Sequence, residues 1–224
     1  MNPRSNELLD QLPELEYETM KKSLQLISLV EGTELYRPGD RLGKVIFPVV
    51  DTLIAIGTLL KEGHAIDNAT IGADGLIGLI SLDDITSSHR IYVAKTGLAY
   101  TIERNELLSA AYHQPKVLSM CVQAGIILIR KISIELACTN FHSIEQRLAK
   151  WILTRHRQSG IGTVRASHQS IADSLGTRRE AITNTLPKLF GISYSRCQIS
   201  VEDYEKLKLC SCSCYLAQRN VHPF

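Results

Sequence analysis

The stretch from Ser167 to Leu186, SHQSIADSLGTRREAITNTL, holds two short apolar-periodic segments on either side of a single glycine. Ser167 is suited to cap a helix that begins at His168 and turns Ile171, Ala172 and Leu175 inward. Gly176 supplies the turn. Thr177 and Glu180 fit a Thr-x-x-Glu capping box for a second helix, whose Ala181, Ile182, Leu186 and Leu189 form its inner side. Two short helices joined by a tight glycine-containing turn are a helix-turn-helix arrangement. Pro187 costs about 3 kcal/mol inside a helix, so a kink or early stop is expected there.

In such an arrangement the second helix, here residues 178–187, enters the major groove of double-stranded DNA with its N-terminal residues toward the base edges. Arg179 is the first choice for a base edge, because a guanidinium can donate two parallel hydrogen bonds to guanine. Arg178 is expected on phosphate. Glu180 is shared between the cap and a cytosine amino group, Thr177 belongs to the same DNA-facing set, and Thr183 and Asn184 follow one turn later. Ser167, His168 and Gln169 stand at a helix start, suited to phosphate oxygens.

The charge supports a polyanionic partner. The net charge is +2, yet residues 143–196 carry nine basic against three acidic residues, while residues 1–142 are net −4. One module is therefore strongly basic and the other is not. A solvated basic face accounts for the same counts.

Upstream, Leu8, Leu9, Leu12, Leu15, Met20, Leu24 and Ile27 recur at helical spacing, broken at Pro13. From Val30 to Ile102 the period changes. Short apolar segments (KVIFPVV, TLIAIGTLL, GLIGLISL, RIYVAKTGLAYTI) alternate with Gly, Pro, Asp and Asn, as in an antiparallel barrel or roll. A long helix is expected from Lys116 to about Thr139. Val117, Cys121, Ala124, Leu128 and Ile132 define one apolar side, and Leu118, Val122, Ile126, Ile129 and Leu136 an adjacent one. A helix apolar on two sides must be covered on two sides. Resting on its own roll and pairing with a second copy, through Val117, Cys121, Ala124, Leu128 and Ile132, predicts a twofold homodimer; burial within a monomer is the alternative. A further helix spans about Ile144 to Arg157, with Ile144, Leu148, Trp151 and Ile152 inward.

Composition is that of a globular chain, 44% hydrophobic and 21% charged. The most apolar run, Gly125 to Ile129, stops at Arg130 and Lys131, short of a membrane span. With no signal-peptide core near Arg4, Glu7 and Asp10, the expected location is the cytoplasm. Of six cysteines, Cys210, Cys212 and Cys214 crowd together while Cys121, Cys138 and Cys197 lie far apart. Cys-x-Cys-x-Cys can gather a soft metal, but no nearby histidine or second cysteine pair completes a tetrahedral site, so no metal and no cofactor are expected. A metal-dependent enzyme of the cupin type is the competing reading of a small barrel. It lacks a His-x-His pair, since His64, His89 and His113 are isolated, and no nucleophile, base and orienter set is apparent.

CTNFHSIEQRLAKWILTRHRQSG followed by SHQSIADSLGTRREAIT resembles the hinge and winged-helix region of the Crp/Fnr family of bacterial transcription regulators. VEGTELYRPGD and VIFPVVDTLIAIGTLLKEGHAIDNATIGADGLIGLISL resemble that family's sensory roll, and YSRCQISVEDYEKLKLCSCSCY its wing and tail. The resemblance implies an α+β chain with three parts. Residues 1–115 would form a cyclic-nucleotide-binding-like, jelly-roll-like antiparallel β-roll with N-terminal helices. Residues 116–142 would form a dimerisation helix and hinge, and 143–224 a winged helix-turn-helix domain. It further implies a homodimer on a partly palindromic promoter, with RNA polymerase as a further partner. Cyclic-nucleotide binders of the family carry a glutamate and an arginine where this chain has Leu76 and Ser88, with Arg90 nearby. A buried phosphate without its cation is hard to accommodate. The effector is thus open, including a regulator that answers to a protein partner or to cysteine redox state. No cysteine precedes Cys121, which excludes the oxygen-sensing branch's N-terminal iron–sulfur cluster.

Overall fold

The computed structural model describes residues 2–49, 51–61, 65–79, 86–159 and 163–219. The chain divides into two compact units, Met1–Gly57 with Ala69–Arg130, and Thr58–Asn68 with Lys131–Phe224.

The first unit opens with a 3-10 turn, Pro3–Ser5, then α1 (Glu7–Asp10) and α2 (Glu14–Lys21). Asn6 joins these turns to the roll. Its side chain is fully buried, its Oδ1 accepts from the Leu8 and Leu9 N–H groups, and its Nδ2 donates to the carbonyls of Pro48 and Gly75 at 2.8 and 2.9 Å. All of its hydrogen-bonding capacity is satisfied away from water. The helical period expected as far as Ile27 fails after Lys21. Leu15 is exposed, and Gln25–Leu29 is a strand, β1, because it finds an antiparallel partner from Gly97 to Thr101.

Six further strands follow: β2 (Glu34–Tyr36), β3 (Lys44–Pro48), β4 (Leu53–Leu59), β5 (Ala65–Ile71), β6 (Arg90–Lys95) and β7 (Gly97–Glu103). They form two sheets, ordered β1-β7-β3 and β2-β6-β4-β5, with antiparallel ladders β1·β7, β3·β7, β2·β6 and β4·β6. Leu29, Ile46 and Ala99 from one sheet meet Ile54, Ile56, Ile71, Ile91 and Val93 from the other in a common aliphatic core. The expected GLIGLISL strand is corrected in its first half. Ile77 makes only a bridge to Ile46, and residues 80–82 lie outside the described residues.

A helix not anticipated from sequence, α3 (Arg104–His113), follows β7. It buries only Leu107 and Ala111 among its apolar residues, too little periodicity to stand out. Next comes α4 (Pro115–Phe141), a single helix of 27 residues. Val117, Met120, Cys121, Ala124 and Ile127 are buried, and Leu128 packs against the aliphatic core of the roll. This corrects the dimer face expected at Val117, Cys121, Ala124, Leu128 and Ile132. The first three are covered by their own chain, Leu128 and Ile132 are half-buried, and the adjacent side, Leu118, Val122, Ile126 and Ile129, is exposed. Two apolar sides were legible; which one the roll covers is decided by tertiary packing. By length and composition α4 is also long and apolar enough to cross a membrane, which counting an uninterrupted run did not register. Arg130 and Lys131 near its middle would each cost about 2.5–3.5 kcal/mol at a bilayer centre.

The second unit contains α5 (Ile144–Ser159), β8 (Thr163–Arg165), α6 (His168–Leu175), α7 (Arg179–Thr185), a 3-10 turn at Leu186–Lys188, β9 (Ile192–Ser195), β10 (Gln198–Val201), α8 (Tyr204–Cys210) and α9 (Cys214–Arg219). Ser143 and Gln146 open α5 with a reciprocal capping box, the serine hydroxyl accepting from Gln146 N–H and the Gln146 side chain from Ser143 N–H. Leu148, Ile152, Ile171, Leu175, Ile182 and Ile199 form the centre of the core. The sheet order β8-β10-β9 makes β9 and β10 a wing beside the helices.

Candidate nucleic-acid interface

As the sequence leads one to expect, α6 starts after Ser167, whose hydroxyl accepts from Ser170 N–H at 3.1 Å. It ends at Gly176, which has φ 58° and ψ 47°. That left-handed conformation costs a side-chain-bearing residue about 1–2 kcal/mol. The Arg147 guanidinium on α5 donates to the Leu175 carbonyl, so a cation meets the negative end of the α6 dipole.

The start of α7 corrects one expectation. Thr177 does not cap it: the Thr177 N–H closes α6 by bonding to the Ala172 carbonyl at 2.9 Å, the backbone pattern of a Schellman motif. Arg178 takes the cap position in extended conformation, with no side-chain cap bond. The Thr177–Glu180 capping box is therefore not formed, and Glu180 is left for other contacts. Two motifs competed for Thr177, and ending the first helix won. At the other end, α7 gives way after Thr185 to a 3-10 turn containing Pro187, the early stop expected of proline.

Arg178, Arg179, Glu180, Thr183 and Asn184 are exposed together on the first two turns of α7, while Ile182 and Thr185 are buried behind them. The helix thus presents its polar side outward and holds its apolar side in the core. The residues expected on phosphate are more engaged than their sequence suggests. Gln169 Nε2 donates to Asp173 at 2.7 Å. His168 Nδ1 lies 2.8 Å from the Thr183 hydroxyl, and the His168 ring stacks on Tyr194 of β9 with centroids 4.9 Å apart. His168 thereby joins α6, α7 and the wing. Tyr194 was not singled out in the sequence, because nothing local marks an exposed strand tyrosine as a histidine's partner.

At the tip of the wing Arg196 and Cys197 adopt φ 49° and 63° between the paired residues Ser195 and Gln198. This is a two-residue hairpin turn with both central residues left-handed, of the kind that matches strand twist. It leaves Arg196 exposed beside the helices. Of the nine basic residues from 143 to 196, Arg147 serves α6, and Lys150 is buried against Glu135 at 2.7 Å. Arg157, Arg165, Arg178, Arg179, Lys188 and Arg196 remain exposed.

In the roll, Leu76 is buried and the Ser88 hydroxyl lies 2.9 Å from His89 Nδ1. Arg90 pairs with Glu34 at 2.6 Å and lies over the Tyr92 ring at 4.6 Å, so this nearby cation already has an anion. The Glu34 carboxyl is held below the usual carboxylate range by hydrogen bonds from Arg90 and then Arg37. For the cupin reading, His64 lies outside the described residues, and His113 bonds to its own helix at the Ser109 carbonyl.

The cysteines separate differently from the sequence expectation. Burial pushes the Cys121 thiol up to about 11, and Cys197 is exposed on the wing. Cys138 and His142 meet Cys212 and Cys214, with one ligand atom from each residue all within 4.8 Å of one another. This corrects the statement that no histidine or further cysteine joins the C-terminal thiols. The fold supplies both from the end of α4.

Residues 146–210 match the model of the Crp-like helix-turn-helix domain. The chain is similar in structure to a chain described as a Crp/Fnr-family transcriptional regulator from Eubacterium rectale, with TM-score 0.75 and 17% identity, covering 97% of this chain and 100% of that one. It is also similar to FixK2 from Bradyrhizobium japonicum, with TM-score 0.70 and 17% identity, covering 85% of this chain and 98% of that one. By sequence it is 24% identical over 179 residues to the Global nitrogen regulator of Synechococcus elongatus, covering 75% of this chain and 80% of the relative. The fold is that of Crp/Fnr regulators, with antiparallel sheets, a long helix and a C-terminal Crp-like helix-turn-helix domain.

Proposed function

We propose that the protein is a non-enzymatic, sequence-specific transcription regulator that binds double-stranded DNA as a homodimer in the cytoplasm. The observation that carries this reading is the exposed start of α7, where Arg178, Arg179, Glu180, Thr183 and Asn184 project together from a helix anchored by Ile182. Arg179 reads a base edge, Glu180 accepts from a cytosine amino group, and Arg178 holds phosphate. Ser167 and Gln169 face the backbone of the duplex, and His168 positions α7 through Thr183. The names of the similar proteins, a Crp/Fnr-family regulator and a nitrogen regulator, support the same class.

Residues 1–115 serve as the roll, 116–142 as dimerisation helix and hinge, and 143–224 as the DNA-binding domain. The dimer forms through Leu118, Val122, Ile126 and Ile129, large apolar residues at helical spacing that stand exposed on α4; such a patch marks an interface. The roll answers to an effector that is not identified, and the pairing of Arg90 with Glu34 argues against a cyclic-nucleotide phosphate at Arg90.

Selection of bound sequences from a random DNA pool tests the whole reading. A twofold-symmetric site whose affinity falls steeply with salt is expected. Recovery of no preferred sequence, or binding indifferent to salt, overturns it.

A further inference from the structure

We propose that Cys138, His142, Cys212 and Cys214 together bind one zinc-class divalent ion in tetrahedral coordination. The site stands on its own geometry and holds whether or not the chain binds DNA. Cys138 lies in the last turn of α4, and His142 follows four residues later, its N–H bonded to the Cys138 carbonyl at 3.1 Å, so the helical spacing brings both side chains to one side. Cys212 lies between α8 and α9, and Cys214 is the first residue of α9. Two short segments 74 residues apart thus each contribute two ligands.

The distances suit a single ion. Zinc–sulfur bonds of about 2.3 Å and zinc–nitrogen bonds of about 2.0 Å in a tetrahedron place sulfurs about 3.8 Å apart, and sulfur from nitrogen about 3.5 Å. Cys138 Sγ and Cys212 Sγ are 3.5 Å apart, and Cys214 Sγ and His142 Nδ1 are 3.7 Å apart. No group of four ligand atoms within 4.8 Å leaves room for the several irons and inorganic sulfides of a cluster. A disulfide would use two of the four groups and require its sulfurs at about 2.05 Å, leaving the third thiol and the imidazole without a role.

The surroundings fit as well. The three cysteines are buried, with Ile134 packed against them, and His142 is half-buried. Three thiolates and a neutral imidazole around a doubly charged ion leave one net negative charge. Lys150, with 4% of its side chain exposed and its ammonium 2.7 Å from Glu135, supplies a buried cation close enough to Cys138 to interact with it electrostatically. A bound ion would tie the end of α4 to the C-terminal helices, and its binding free energy would be folding free energy for that junction.

The test uses the full chain, purified under reducing, oxygen-free conditions without chelator. Elemental analysis is expected to find about one zinc per chain. After chelator treatment, titration with cobalt(II) is expected to give the intense visible bands of a tetrahedral thiolate site, saturating near one equivalent and displaced by zinc. Cys212→Ser and His142→Ala are expected to weaken cobalt uptake by at least about tenfold, and Cys197→Ser to leave it unchanged. The wild-type titration stands even if a variant misfolds. The proposal is overturned if the reduced wild-type chain takes up neither metal, if iron appears with acid-labile sulfide, or if uptake survives loss of both Cys212 and His142.

Discussion

His168 Nδ1 and the Thr183 hydroxyl lie 2.8 Å apart, and the same hydroxyl donates to the Arg179 carbonyl at 3.1 Å. With its single hydrogen on that carbonyl, the hydroxyl accepts from the imidazole, and Nδ1 is the donor. The chain of bonds fixes the first turn of α7 against α6, while the Tyr194 stack fixes the ring against the wing. Thr183→Val removes the acceptor and keeps the shape. Affinity for the selected DNA site is expected to fall by roughly 0.5–1.5 kcal/mol, the net value of one hydrogen bond, with Thr183→Ser restoring it. Fluorescence anisotropy measures this, and an unchanged affinity would remove His168 from any positioning role.

Arg178 and Arg179 are adjacent and both exposed, yet they stand on different parts of the backbone. Arg178 is in the extended cap position and Arg179 begins the helix. Arg179→Ala is expected to cost about 1–3 kcal/mol on the selected site and to relax one base position. Arg178→Ala should weaken all sequences alike and reduce the salt slope by about one unit. Gel-shift titrations at several salt concentrations on specific and scrambled duplexes separate the two, and equal losses on both duplexes for Arg179→Ala would make it a phosphate contact.

Where signals are local, the sequence carries the fold. Ser167 through its hydroxyl, and Gly176 and Pro187 through their backbones, mark element ends, and each acts where it was expected to. Where two readings competed for one residue, packing decided. Thr177 had a capping box ahead of it and a helix end behind it, and its N–H went to Ala172. Gln25–Leu29 continued a helical period but paired with β7. The four residues around Cys138 were illegible for a different reason: their proximity depends on how the chain returns to α4 after 74 residues, which no local pattern encodes.

Association is predicted to depend on one side of α4. Ile126 is 48% exposed and Val122 56%, so Ile126→Glu leaves the monomer's core intact and places a charge at the proposed dimer seam. Sedimentation is expected to show a monomer with a melting temperature close to that of the monomeric wild-type chain at high dilution. Val117→Ala, at a fully buried position on the other side, should instead lower stability by about 1–3 kcal/mol through the lost burial and cavity, with association retained. If Ile126→Glu stays dimeric, the apolar side of α4 is not the seam.

Glu34 carries the pH dependence that bears on the roll's ligand. Its carboxyl is depressed by hydrogen bonds from Arg90 and then Arg37, so the folded state favours the ionised form. That contribution is fully present above the unfolded carboxylate value of about 4.3 and is lost as the pH falls through the lower folded value. Glu34→Gln should therefore lower the melting temperature at neutral pH, with the gap to wild type closing in acid and shrinking in high salt, because both partners are partly exposed. The same pairing predicts that a cyclic nucleotide leaves the wild-type melting temperature unchanged, since binding its phosphate at Arg90 would first break the 2.6 Å ion pair with Glu34. A rise in wild-type melting temperature with nucleotide, abolished by Arg90→Gln, would show that the pair opens and that the roll takes a phosphate after all.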